Sequence, residues 1–223
     1  VSGYGLSDSF KTVLSVLCLG TKYSAQLETL KKTPYAGSGK AADIKVNFTA
    51  KEATKGESVI DASYSCKYKM ACEDFRKQIV PLLKQLPKEI KTALVTVTEK
   101  VTRVGDVPSK GGDHLGGERY QAAVTSTGSL INRNDNYEFE NVYYQPIDKN
   151  SFISVEQTTK AGTEMKGRYN MIFAFQESDG TCVTVTSVTM RVSNLGSPNV
   201  VADNVKQVIQ TQIQRGFDEV AKK

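Results

Sequence analysis

The chain closes on Asn199–Lys223, NVVADNVKQVIQTQIQRGFDEVAKK. Within and around it Val201, Val205, Val208, Ile209, Ile213, Phe217 and Val220 recur at steps of three and four. Lys206, Gln207, Gln210, Gln214 and Asp218 fall mainly on the remaining surface. This spacing predicts one helix about six turns long with a single apolar stripe. Ser197-Pro198 is a suitable entry, since Ser caps a helix and Pro fits its first turn. Burying the stripe is worth roughly 10–20 kcal/mol before entropy. A helix with that much to bury needs a complementary surface, and a sheet is the natural one.

The preceding residues supply sheet-forming pattern. From Ser58, Ile60, Ala62, Tyr64, Cys66 and Tyr68 alternate with Asp61, Ser63, Ser65 and Lys67, the period of a half-buried strand. Phe75, Ile79, Leu82, Leu83 and Leu86 then fit a helix that Pro81 must bend or split in two, ending at Pro87. Six strand-like runs follow. The first has Ala93, Val95 and Val97 between threonines, and the second, around Tyr120–Val124, comes after a Gly-rich connection, GDVPSKGGDHLGGE. Tyr137 and Phe139 with Val142 and Tyr144 mark the third, and Ile153 and Val155 the fourth. Tyr169, Met171, Phe173 and Phe175 give the fifth, and CVTVTSVTMRV is the sixth, after the hairpin signal Asp179-Gly180. Short connections predict an antiparallel meander. Upstream, Leu6, Phe10, Val13, Leu14 and Leu17 have helical spacing, continued by Tyr23, Leu27 and Leu30. A strand over Asp43–Ala50 and a polar connection, KEATKGE, complete the predicted order.

Strand, broken helix, six antiparallel strands and a long final helix: over residues 58–223 this order resembles the helix-grip fold. That fold is shared by the START lipid-transfer domains and by pollen-allergen-like and polyketide-cyclase-like proteins. START members carry an extra N-terminal helix and strands, and residues 6–51 stand where those would fall. The resemblance implies an α+β fold with a curved antiparallel sheet wrapped around the C-terminal helix. The expected organisation is a single START-like domain over 1–223, with 1–57 as an N-terminal helix-and-strand extension and 58–223 as the core. It also implies a cavity between sheet and helix and a hydrophobic ligand of the lipid or sterol class. The ligand-contacting side chains expected on this reading are Val95, Tyr137, Phe139, Tyr143, Phe173 and Phe175 from the sheet. Val205, Ile209 and Phe217 join them from the helix. Threonines and glutamines on the alternate faces are read as solvent-facing.

Composition narrows the alternatives. The apolar share, 39%, suffices for a sizeable core. No apolar run approaches the roughly 20 residues of a membrane span. The richest, TVLSVLCLG, lacks the basic flank of a signal peptide and reads as a buried helix face. A net charge of +5 from scattered lysines and arginines forms no dense stripe, so no nucleic-acid partner is expected. The same charge favours transient contact with an anionic membrane surface.

Four cysteines without a CxxC, and one histidine, predict no metal site and no cofactor. A Cys66–Cys72 disulfide is one option; small buried hydrophobes is the preferred reading. His114 beside Asp113 is not a triad, and Glu138 and Glu140 alternate as solvent-facing residues do, so no catalytic residue is assigned. Two other functions remain open: a protein-interaction or assembly module using the N-terminal helix, and a cyclase-type enzyme on the same fold.

Overall fold

The computed structural model describes residues 39–223 except 55, 92–94, 129–131, 146–149 and 194–197; the side chains of 90, 91, 95 and 198–202 are also outside the described set. The expected N-terminal helix over 6–32 and the Ser197 cap lie outside the described residues.

Nine antiparallel strands form one sheet: β1 (Asn47–Thr54), β2 (Glu57–Tyr68), β3 (Lys88–Lys91), β4 (Val95–Val107), β5 (His114–Gly128), β6 (Asn132–Tyr144), β7 (Ser151–Lys160), β8 (Met165–Gln176) and β9 (Cys182–Ser193). Their order is β1-β2-β9-β8-β7-β6-β5-β4-β3. The meander from β3 to β9 therefore ends by pairing β9 with β2. Helix α1 runs from Cys72 to Gln85 and carries the chain from β2 to the far edge at β3. Helix α2 is Pro198–Ala221, the stripe with which the sequence ends.

The long strands bend where their register shifts, as between Arg103 and Gly105 or Glu138 and Phe139, because a bulge adds a residue on one side of the ladder. The sheet curls until both margins reach α2, which touches β1 and β2 on one side and β3 on the other. Two hydrogen bonds fasten the helix there. The Ala41 N–H donates to Gln214 Oε1 at 3.0 Å, and Arg215 Nη1 donates to the Pro87 carbonyl at 2.8 Å. Val205, Ile209, Ile213 and Phe217, four members of the predicted stripe, are buried in the core.

Pro81 bends α1 without splitting it. It has no N–H to donate, and the helix widens into a π turn over Phe75–Ile79 before resuming α geometry at Val80. Four expectations need correcting. The first strand-like run has a partner that the pattern did not predict: β3 pairs with β4, Ile90 opposite Val97, and residues 92–94 lie outside the described residues. KEATKGE is mostly strand, because β1 continues through Thr54 as an exposed, charged edge that discourages further pairing. The Gly-rich connection is mostly ladder too. β4 extends to Val107 and β5 begins at His114, and Gly117 lets the strands close; a Cβ there would sit 1.8 Å from the Asn141 carbonyl oxygen.

The fourth correction concerns the cysteines. Cys72 is bonded to Cys182, and Cys66 is a free, buried thiol. The helix folds back directly after β2, which places the Cys72 Cα 4.8 Å from that of Cys182, the register partner of Tyr68.

Candidate functional site

Alternation decides what the concave side presents. On β8, Arg168, Asn170 and Ile172 point inward; on β9, Thr184, Thr186, Val188, Met190 and Val192 do. Val205, Val208, Ile209 and Ile213 face them from α2, with Phe75, Val80 and Leu83 from α1. Between these walls lies a cavity of about 410 Å³, predominantly apolar. That is a volume typical of small-molecule sites.

The C-terminal end of α2 does not border it. Gly216 lies so close to the sheet that a Cβ would meet Tyr68 Oη at 3.0 Å. Phe217 packs on Tyr68 with ring centroids 5.1 Å apart, and Tyr68 stacks on Phe75 at 4.4 Å. The helix is thus seated at one end and stands off the sheet toward its start.

One wall of the cavity is ionised. Lys84 Nζ lies 2.5 Å from Glu156 Oε2, and Arg168 Nε lies 2.7 Å from Glu156 Oε1. The second contact is between charges without an aligned hydrogen bond. Lys88 Nζ lies 2.5 Å from Glu99 Oε2, and the Tyr137 hydroxyl donates to Glu99 Oε1. Arg168 also sits 5.8 Å over the Phe139 ring. The Glu156 side chain is 1% exposed and that of Lys84 6%. Burial alone would raise both carboxylates, but the neighbouring cations prevail. Glu156 is held at about 2 by Arg168 and Lys84, and Glu99 is held below its usual value by Lys88 and Arg168. Burial pulls Lys88 down, against the opposing pull of Glu99. Lys84, Lys88, Glu99 and Arg168 all line the cavity, whereas Glu156 sits behind the wall.

The expected ligand residues divide into five groups. Val205 and Ile209 line the cavity. Tyr137, Phe139 and Tyr143 are on the concave side but border no open space. Tyr137 and Tyr120 stack against Phe139 at 5.8 and 5.0 Å, and Tyr143 packs edge-on to Phe152 beneath Arg76. Phe217 is occupied with Tyr68. Phe173 and Phe175 are corrected outright: Ile172 points inward, so the alternating period turns its neighbours to the opposite face. There Phe173 joins Ile153, Val155, Met171 and Val185 in a separate buried cluster, with Phe175 packed against it. β4 begins at Val95, and its side chain is outside the described residues.

Residues the reading missed include Ile172, Thr184, Thr186, Val188 and the ionised wall. Thr184 and Thr186 are buried, not solvent-facing. A signal for the wall existed: Glu156 interrupts the apolar run FISVE, and Arg168 and Asn170 alternate with the aromatics of β8.

Two other expectations can be placed. His114 is a turn residue whose Nδ1 accepts the backbone N–H groups of Lys110 and Gly116. The Gly-rich hairpin that carries it contributes nothing to the lining of the cavity. Glu138 and Glu140 are paired on the outer face with Lys160 and Gln157. Among the described residues no helix is long and apolar enough to cross a membrane, and no group of three or more metal-ligating side chains occurs.

A curled antiparallel sheet closed by a C-terminal helix defines the helix-grip class, and the architecture is the START-like α+β one that the element order implied. No protein-family model matches the sequence, and no curated protein matches it. Similar solved structures include the lipid transfer and protein localization domain of human StarD13, at 12% identity and TM-score 0.44, covering 89% of this chain and 98% of that one. A START superfamily protein from Mycobacterium smegmatis is similar at 8% identity and TM-score 0.44, over 72% and 98% of the two chains. The Zhui aromatase/cyclase from Streptomyces sp. R1128 is similar at 7% identity and TM-score 0.44, over 74% and 94%.

Proposed function

We propose that this protein binds one hydrophobic small molecule, of the lipid or sterol class, between its sheet and α2, and transfers it between membranes. The observation that carries this reading is the cavity itself. It is a space of about 410 Å³ under a long amphipathic helix, its predominantly apolar surface supplied chiefly by Val, Ile, Leu, Met, Tyr and Phe side chains. Burial of apolar ligand surface there is worth about 25 cal/mol per Å². Val205 and Ile209 would touch the ligand from the helix side. The mild positive charge of the chain suits brief contact with an anionic bilayer surface. Native mass spectrometry against a lipid panel tests the reading. A one-to-one adduct is expected; a protein that retains no member of the panel refutes it.

A cyclase-type enzyme is a second reading, favoured by the ionised wall, which brings Glu99, Arg168 and Lys88 to one side of the cavity, with Tyr137 donating to Glu99 from behind. The two readings separate on what leaves the protein. A carrier returns its ligand with unchanged mass, and an enzyme does not.

A further inference from the structure

We infer that the bound molecule is an amphiphile with one anionic headgroup, of carboxylate or phosphate type, seated against Lys84, Lys88 and Arg168. This rests on the cavity being a ligand site. The argument starts from a mismatch. Three cations meet two carboxylates, Glu99 and Glu156, in a cluster largely withdrawn from water. Of the two, Glu156 is behind the wall, so the surface offered to a ligand is richer still in positive groups. Hydrogen-bond capacity points the same way. Two ammonium groups and a guanidinium carry eleven N–H donors, and four carboxylate oxygens, one of them already taken by Tyr137, are too few acceptors to use them all.

Other carboxylates do not restore the balance. Glu164 also lines the cavity but is engaged by Arg133 at 3.2 Å. Glu118 is off the lining. A buried ion short of counter-charge is costly unless something supplies it. Most of the remaining lining surface is apolar, interrupted by groups such as Ser126, Asn170, Thr184 and Thr186, so the molecule that supplies the charge also carries a hydrophobic body.

The test uses matched probes on the full chain: hexadecanoic acid, hexadecyl phosphate and hexadecanol, measured by calorimetry. The acid or the phosphate should bind about tenfold or more tightly than the alcohol. The tighter of the two identifies the headgroup type. Lys88→Met should shrink the anion-to-alcohol ratio to within about twofold, and Lys88→Arg should keep it. Equal affinity for all three wild-type complexes overturns the anionic assignment while leaving the cavity reading intact. Binding of none of them overturns both. Should Lys88→Met fail to fold, the wild-type ratio and Lys88→Arg still decide: a ratio near one, or its collapse in Lys88→Arg, counts against the inference.

Discussion

Two parts of the same concave surface behave in opposite ways. Under β5 and β6 the sheet is filled: Tyr120, Tyr137 and Phe139 stack at 5.0 and 5.8 Å and are wholly buried. Along β8 and β9 it is open: Ile172, Thr184, Thr186 and Val188 look across the cavity to α2. Both stretches have the same strand geometry. They differ in side-chain length. Large rings reach one another and exclude space, whereas short β-branched side chains stop before they meet the helix. In this molecule the stacked rings of Tyr120, Tyr137 and Phe139 mark the solid part of the grip, and the aliphatic and hydroxyl residues of β8 and β9 mark the hollow part, whose lining also includes Tyr64, Tyr68 and Phe75.

The contrast can be broken experimentally, beginning with the largest effect. Phe139→Ala removes the centre of the filled block and should cost about 3–5 kcal/mol in denaturant unfolding, with no gain in ligand affinity. Cys72→Ser tests whether the open part depends on its clamp, since the Cys72–Cys182 bond spans 110 residues and fixes the start of α1 to β9. A loss of about 2–5 kcal/mol is expected, read from thermal melts with and without reductant.

Acid should act through the ionised wall. The Glu156 carboxyl is depressed in the folded state, so its contribution is complete above its ordinary value near 4.5 and is lost as the pH falls toward about 2. Unfolding midpoints should drop by the equivalent of a few kcal/mol across that window. In Glu156→Gln they should start lower and fall less steeply. Ile209→Trp fills the hollow. It should abolish most lipid binding while costing less than about 1 kcal/mol, because an open cavity accepts volume that a packed core rejects. Smallest of all, Val188→Ala enlarges an existing space and should cost under about 1 kcal/mol. A cost as large as that of Phe139→Ala would erase the distinction between the two regions.

Much of the architecture was readable because it depends on periodicity. The three- and four-residue spacing of Val205, Ile209, Ile213 and Phe217 and the alternation from Ile60 to Tyr68 both have a single geometric solution. The site was far less legible. Strand period two says that Ile172 and Phe173 face opposite ways, but not which way is inward; the aromatic face looked richer, and it is the outer one. The ionised wall joins residues as distant as Lys84 and Arg168, which no local pattern connects. The short strand β3 escaped because three of its four residues, KEIK, are Lys or Glu, which strands disfavour.

The seating of α2 has a mechanical consequence. With Gly216 against Tyr68, the helix has a close support near its C-terminal end. Asn204, at the rim of the cavity, lies about 18 Å along the axis from that support at ~1.5 Å per residue. A tilt of about 5° at the support would sweep Asn204 through about 1.6 Å, while Phe217 barely shifts. The lever arm is long at the hollow and short at the packed end, so small angular freedom at a single glycine translates into displacement where a ligand would pass.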